Sequence, residues 1–192
     1  MYELKNFTPR AYQKSIFVAA KLSNTLACLP TGTGKTKIAI MLLIERLNNF
    51  PDSNIIIISP TKPLSSQIAK EIEDCTTIEK EKIAILTGAT APNKRSTIFK
   101  ESKVIVATPQ TIQFDVENDR VSLADTSLLV VDECHRSKEN FANTQVAKHY
   151  KEKAKNHLIL ALTASPGSTK EKITAVCTNL FINNIELRTE IY

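Results

Sequence analysis

No apolar run in the chain approaches the ~20 residues that cross a bilayer, which excludes a membrane-spanning helix from these residues. The amino-terminal stretch Met1-Tyr2-Glu3-Leu4-Lys5 lacks the apolar core of a signal peptide, so an intracellular protein is expected. Cysteines are scattered: Cys28, Cys75, Cys134 and Cys177 include no close pair, which excludes a zinc clip or a small disulfide scaffold. Each is expected to be a small buried or half-buried residue in a reducing compartment. His135, His149 and His157 form no ligand cluster with them, and no structural metal is expected. Low-complexity segments, internal repeats and linkers are missing too; the lysine-rich residues 148–155 read as a solvated helix end.

What remains is a chain of 192 residues, 42% hydrophobic and 23% charged, enough for one large domain or two small ones of ordinary globular composition. A net charge of +5 permits a polyanionic partner, and a solvated surface explains it equally well.

Short apolar runs recur at residues 25–29, 54–59, 83–87, 104–107, 128–132, 158–162 and 185–187. Several are unbroken, such as Ile55-Ile56-Ile57-Ile58. A strand apolar on both faces belongs in a parallel sheet covered by helices on each side. Between the runs lie helical spacings: Ile38, Met41 and Leu42 ahead of Glu45-Arg46, and Ile173, Val176, Cys177 and Leu180 in a helix opened by Ser168 or Thr169. Pro63 and Pro109 each fit a first helical turn, where a missing N–H costs nothing. The alternation predicts a single α/β domain, a doubly wound, mainly parallel sheet of about seven strands with helices on both faces.

Two segments carry chemistry. The first strand runs into Pro30-Thr31-Gly32-Thr33-Gly34-Lys35-Thr36 and then a helix. Glycines let successive N–H groups turn toward phosphate oxygens at a helix start. Lys35 is expected to reach the β- and γ-phosphates and the Thr36 hydroxyl to bind magnesium. The strict phosphate-loop pattern has a glycine five residues before Gly34, where this chain has Leu29. The second segment, Val130-Val131-Asp132-Glu133-Cys134-His135, is a buried strand ending in two acids. Asp132 is placed to hold magnesium, directly or through water, and Glu133 to orient and deprotonate an attacking water. His135 is either a core-edge histidine or a relay from the γ-phosphate site.

With these motifs placed, the chain resembles the first RecA-like motor domain of superfamily 2 helicases over residues 7 to about 187. The Asp-Glu-Cys-His spelling narrows a nucleotide hydrolase to helicase-like ATPases. Tyr12-Gln13 looks like the glutamine motif that reads adenine, with Phe7 and Arg10 framing the base. Ser59-Pro60-Thr61-Lys62-Pro63-Leu64 with Gln67, then Thr87-Gly88, then Ala107-Thr108-Pro109-Gln110-Thr111 match strand-binding motifs. Leu162-Thr163-Ala164-Ser165-Pro166-Gly167 stands where the family couples hydrolysis to strand movement, which gives Thr163, Ser165 and His135 coupling roles. The Thr61-Lys62-Pro63-Leu64 and Ala107–Thr111 spellings are similar to those of the archaeal Hef helicase/nuclease and the Fanconi-anaemia M (FANCM) and Mph1 translocases. Cys134 departs from the alanine commoner there and is shared with RIG-I- and Dicer-type helicases.

The resemblance implies an ATP- and Mg2+-dependent DNA helicase or translocase acting on forked or branched DNA in repair, associated with the chromosome, and cytoplasmic if prokaryotic. Two alternatives stay open: an RNA helicase or double-stranded RNA sensor, and a nucleotide-gated nucleic-acid-binding module without turnover. Thr61, Lys62, Pro63, Thr87, Gly88, Thr108, Pro109 and Gln110 are the expected phosphate-backbone contacts. Plain helix capping explains Thr61 or Thr108 as well. No aromatic interleaving suggests base stacking, so affinity is expected to be electrostatic and salt-sensitive; Lys94, Arg95, Arg136 and Lys138 read as surface charge. The family hydrolyses ATP between two RecA-like domains, the second supplying arginines. Residues for that half are not among these 192, so this chain alone is expected to bind nucleotide weakly and to hydrolyse it hardly at all.

Overall fold

The unbroken apolar runs form the two-faced strands of one sheet. A computed structural model describes residues 1–138, 141–165 and 169–189. Its strands are β1 (Thr25–Cys28), β2 (Asn54–Ile58), β3 (Ile83–Leu86), β4 (Val104–Ala107), β5 (Thr126–Val131), β6 (Ile159–Thr163) and β7 (Asn184–Leu187). They lie in the order β3-β4-β2-β5-β6-β1-β7, and every pairing between them is parallel. The helices are α1 (Ala11–Ala20), α2 (Lys35–Asn49), α3 (Lys62–Cys75), α4 (Pro92–Glu101), α5 (Pro109–Glu117), α6 (Ala142–Lys153) and α7 (Lys170–Asn179).

The four successive isoleucines of β2 explain the layering. Ile55 and Ile57 point into a core with α1, α2 and α3, through residues such as Ile16, Leu43 and Ile72. Ile56 and Ile58 point into the opposite core with α4 to α7, through Phe99, Ile112, Tyr150 and Val176. Side chains alternate faces along a strand, so a run with no polar interruption needs helices on both sides. The doubly wound sheet expected from the sequence is therefore present.

Two sequence readings change locally for physical reasons, at β5 and at Arg95. β5 begins at Thr126, earlier than the apolar run, because its polar residues are paired inside the sheet. Thr126 Oγ1 donates to Asn54 Oδ1 at 2.6 Å, and the Ser53 and Ser127 hydroxyls meet at 2.7 Å. Helix α7 is opened by Thr169, whose hydroxyl accepts from Lys172 N at 3.3 Å; Pro166, Gly167 and Ser168 lie outside the described residues. Its apolar stripe is only partly used, with Val176 and Leu180 buried and Ile173 half-buried. Arg95, read as surface charge, is instead 4% exposed. Its Nε and Nη2 donate to the two oxygens of buried Asp115 at 2.7 and 2.6 Å, and Nη1 donates to Thr90 O at 2.6 Å. This bidentate pair fastens α4 to α5; a carboxylate 20 residues away gives no local pattern to read.

Candidate nucleotide site and nucleic-acid edge

Parallel strands deliver their following loops to one edge, where ligands of such sheets bind. Adjacent strands β5, β6 and β1 end respectively at Asp132-Glu133, at Thr163 and at the phosphate loop. Strands β3, β4 and β2, also adjacent, end at Thr87-Gly88, at Thr108-Pro109-Gln110 and at the stretch from Ser59 to Pro63. The strand order thus sorts the candidate residues into a nucleotide half and a strand-track half, which meet between β5 and β2.

Gly32 and Gly34 both have φ of +78°, the left-handed region that side-chain-bearing residues avoid. Gly34 is the N-cap of α2, so free N–H groups of the first turn open toward the loop's hollow. Leu29, which stands where the strict pattern has glycine, is fully buried in the α1–α3 core. Only its backbone faces the site: its N–H donates to Thr163 O at 3.1 Å, and its carbonyl accepts from Lys35 Nζ at 3.4 Å. Thr33 Oγ1 closes the loop onto Pro30 O at 2.7 Å. Thr31 is exposed, and Lys35 and Thr36 are half-buried beside it.

Helix α1 braces this loop. Tyr12 OH donates to Thr33 O. Gln13, 4% exposed, donates through Nε2 to Gly34 O at 3.2 Å and to Thr33 O at 3.4 Å, while its Oε1 accepts from Arg10 N at 2.8 Å. The side chain expected to read adenine is, in this structure, engaged at both ends with protein. A Cβ on Gly34 would lie 2.6 Å from Gln13 Nε2, so this glycine also admits the glutamine. Arg10 is exposed. The Phe7 ring carries Lys37 Nζ 4.9 Å from its centroid, and that ammonium is held by Glu71 at 3.0 Å and Cys75 Sγ at 2.9 Å. Sequence spacing gave no sign of Lys37 or of the Tyr12 contact, because their partners lie 21 or more residues away.

At the acidic strand end, Asp132 N donates to Ile58 O at 2.9 Å. Burial pushes the Asp132 carboxyl above its ordinary range and the neighbouring Glu133 adds to this; the Glu133 backbone N–H, Lys35 and His135 oppose it. Glu133 has φ of +53°, strained for a glutamate by about 1–2 kcal/mol. Such strain is retained where a side chain must be aimed, here at the start of a single 3-10 turn, Cys134–Arg136. Cys134 is fully buried in the α4–α7 core, and burial pushes its thiol well above the usual range. His135 Nδ1 lies 3.0 Å from Thr163 Oγ1 and 3.5 Å from Glu133 Oε2. Thr163 Oγ1 donates to Ser165 O at 2.8 Å and accepts from Ser165 N at 3.1 Å. With its only hydrogen spent on Ser165, the threonine accepts from His135, so Nδ1 carries the proton. Half-buried His135 thus lies between the acid pair and the end of β6.

On the other half, Thr61 caps α3, accepting from Leu64 N at 3.4 Å, while Lys62 and Pro63 are exposed beside it. The Thr87 hydroxyl accepts from Ala89 N at 3.3 Å inside its turn, and a Cβ on Gly88 would meet nothing within 4 Å. Thr108 does not cap α5 through its side chain; its hydroxyl pairs with that of Thr111 at 2.8 Å. Pro109 is buried in the first turn of α5 and Gln110 is exposed.

A phosphate loop and an acid pair flanking one strand of a parallel sheet define a P-loop nucleotide-binding domain of the RecA-like kind. The chain belongs to the DEAD/DEAH box helicase family, whose model matches residues 10–173. It is 38% identical over 186 residues to a putative ATP-dependent RNA helicase of Methanocaldococcus jannaschii, covering 97% of this chain and 23% of that protein. It is 39% identical over 185 residues to the ATP-dependent DNA helicase MPH1 of Scheffersomyces stipitis, covering 96% of this chain and 18% of that one. To the DEAD-box ATP-dependent DNA helicase Fancm of Drosophila melanogaster it is 37% identical over 187 residues, covering 95% and 13%. Among solved structures, the Pyrococcus furiosus Hef helicase domain superposes with a TM-score of 0.91 at 47% identity, over 94% of this chain and 38% of that one. The likeness to Hef, FANCM and Mph1 read from the motif spellings is borne out. The chain spans less than a quarter of the curated relatives' length. Among the described residues no helix is long and apolar enough to cross a membrane.

Proposed function

We propose that this domain binds Mg2+-ATP along the edge formed by β5, β6 and β1 and serves as the first motor domain of a chromosome-associated DNA helicase or translocase. The observation that carries the reading is the adjacency of the phosphate loop, Thr163 and the Asp132-Glu133 pair on three neighbouring strands. Among the described residues no group of three or more acids, histidines or cysteines could cage a metal. That suits Mg2+, which is held by one or two protein oxygens plus substrate phosphates. Thr36 Oγ1 and Asp132 are hard oxygen donors of the right kind, and Mg2+ there would neutralise charge on the β- and γ-phosphates. Lys35, whose Nζ donates to Leu29 O at 3.4 Å, is assigned to the β- and γ-phosphates. Glu133, aimed by its left-handed backbone, orients and deprotonates the attacking water. Gln13, Phe7 and Arg10 are assigned to the adenine base. His135, Thr163 and Ser165 connect the acid pair to the adjoining strand end and are assigned to coupling.

The second motor domain is assigned the arginines that complete hydrolysis, worth about 10³–10⁵ in rate. DNA is the preferred substrate, since the MPH1 and Fancm relatives are named DNA helicases; forked or branched DNA is the form we propose. An RNA substrate is the second reading, favoured by Cys134 and by the name of the Methanocaldococcus relative. The test fuses this chain to the remaining part of the Hef helicase domain and measures ATP turnover with forked DNA or duplex RNA. Forked DNA is expected to stimulate more, and the chain alone to turn over at least ~10³-fold more slowly. Equal or greater stimulation by duplex RNA, or robust DNA-stimulated turnover by the chain alone, would sink the corresponding part.

A further inference from the structure

Between the ends of β4, β2 and β5 lies a cleft of about 380 Å³ that the nucleotide chemistry does not use. That volume falls within the range of ~300–1,000 Å³ typical of small-ligand sites. Pro60, Pro109 and Gln110 line it together with Arg136, Lys138 and Phe141. Arg136 and Lys138 are exposed, and among the described residues neither pairs with a carboxylate and no acid lines the cleft. Phe141 is 51% exposed, with Lys138 Nζ 5.5 Å from its ring centroid. The cleft opens at the starts of α5 and α6. Neither first turn carries an acid and neither N-cap side chain bonds its helix, so the positive helix ends are left uncompensated.

Two cations with no carboxylate partner among the described residues, two positive helix ends and a half-exposed aromatic ring call for a ligand that is anionic and flat. We propose that this cleft seats one nucleic-acid strand, with a base stacked on Phe141 and a flanking phosphate held by Arg136 and Lys138. The inference rests on reading this edge as the strand track. It adds one stacking platform to the mostly electrostatic grip expected from the sequence. His135 lines the same cleft while its Nδ1 bonds Thr163 and lies near Glu133. A seated strand therefore touches the ring that contacts the water-activating glutamate.

The test is fluorescence anisotropy of this chain with a labelled oligothymidylate and with the same strand made abasic at successive positions. For Phe141→Leu, affinity for the intact strand is expected to fall about five- to 100-fold, with no further loss on base removal. Phe141→Tyr, which keeps the ring, should bind as wild type. Arg136→Gln with Lys138→Gln should lower the slope of log affinity against log salt by about 0.7 per lost phosphate contact. In wild type, a 5-iododeoxyuridine strand should photo-cross-link at Phe141. Lys62→Ala separates the readings. If it weakens binding while Phe141→Leu does not and no cross-link forms, the cleft seats something else, such as a neighbouring protein domain, and the proposal is overturned with the track intact. If the wild-type chain binds no strand at all, both fall.

Discussion

Replacing Gly34 with alanine should damage the phosphate loop in two separable ways. Its φ of +78° costs a side-chain-bearing residue about 1–2 kcal/mol. The new Cβ would also lie 2.6 Å from Gln13 Nε2, so the glutamine must leave and its bonds to Gly34 O and Thr33 O are lost, each worth about 0.5–1.5 kcal/mol. The combined loss is roughly 2–5 kcal/mol, a fall in melting temperature of about 4–20 °C for a domain of this size. Gly32→Ala shares the φ of +78° but its Cβ meets nothing within 4 Å, so it should cost only the ~1–2 kcal/mol of strain. Gln13→Ala removes the obstacle, so Gly34→Ala in that background should cost about as little as Gly32→Ala. Thermal or denaturant unfolding of the four variants forms a double-mutant cycle. Additive effects of Gly34→Ala and Gln13→Ala would refute the claim that Gly34 is a glycine to admit Gln13.

Further outcomes follow from the same geometry. The raised Asp132 pKa means that the ionised carboxylate is less stable in the fold than in the unfolded chain. That penalty is present at neutral pH and vanishes below the ordinary carboxylate value of about 4. Asp132→Asn should therefore raise the melting temperature at pH 7, with the gain shrinking toward pH 4, while weakening Mg2+-nucleotide binding; a lower melting temperature at pH 7 would contradict this. Asp115→Ala strands the buried Arg95 guanidinium and should cost about 3–5 kcal/mol in denaturant titration, whereas Arg95→Met with Asp115→Leu should cost much less. Gly88→Ala should leave stability unchanged, since nothing lies near its Cβ, and should weaken strand binding if a nucleic-acid backbone passes there. Glu133→Gln should lower turnover of the two-domain protein roughly 10²–10⁴-fold with nucleotide binding retained.

Much of this architecture was legible because the residues that set it are local. Ile55 to Ile58 announce a strand buried on both faces, and Gly32 and Gly34 announce a left-handed loop before a helix. Val130 to Glu133 announce acids delivered by a buried strand. Interactions between distant segments were not legible: Tyr12 onto Thr33, Lys37 between Phe7 and Cys75, Arg95 onto Asp115. No period or spacing encodes these, since each joins elements that only the folded sheet brings together. The start of β5 is hidden for a related reason: Thr126 and Ser127 look like turn residues until Asn54 and Ser53 pair with them across the strand. Arg136 and Lys138 are exposed, as surface charge should be, and only the folded edge brings them to one cleft with Pro60 and Pro109.

The most direct measurement is a titration of a fluorescent ATP analogue with Mg2+ into the wild-type chain and into Lys35→Ala. Removing a charged donor to phosphate should weaken binding about ten- to hundredfold. Undiminished binding by Lys35→Ala would remove the phosphate-loop premise on which the whole account stands.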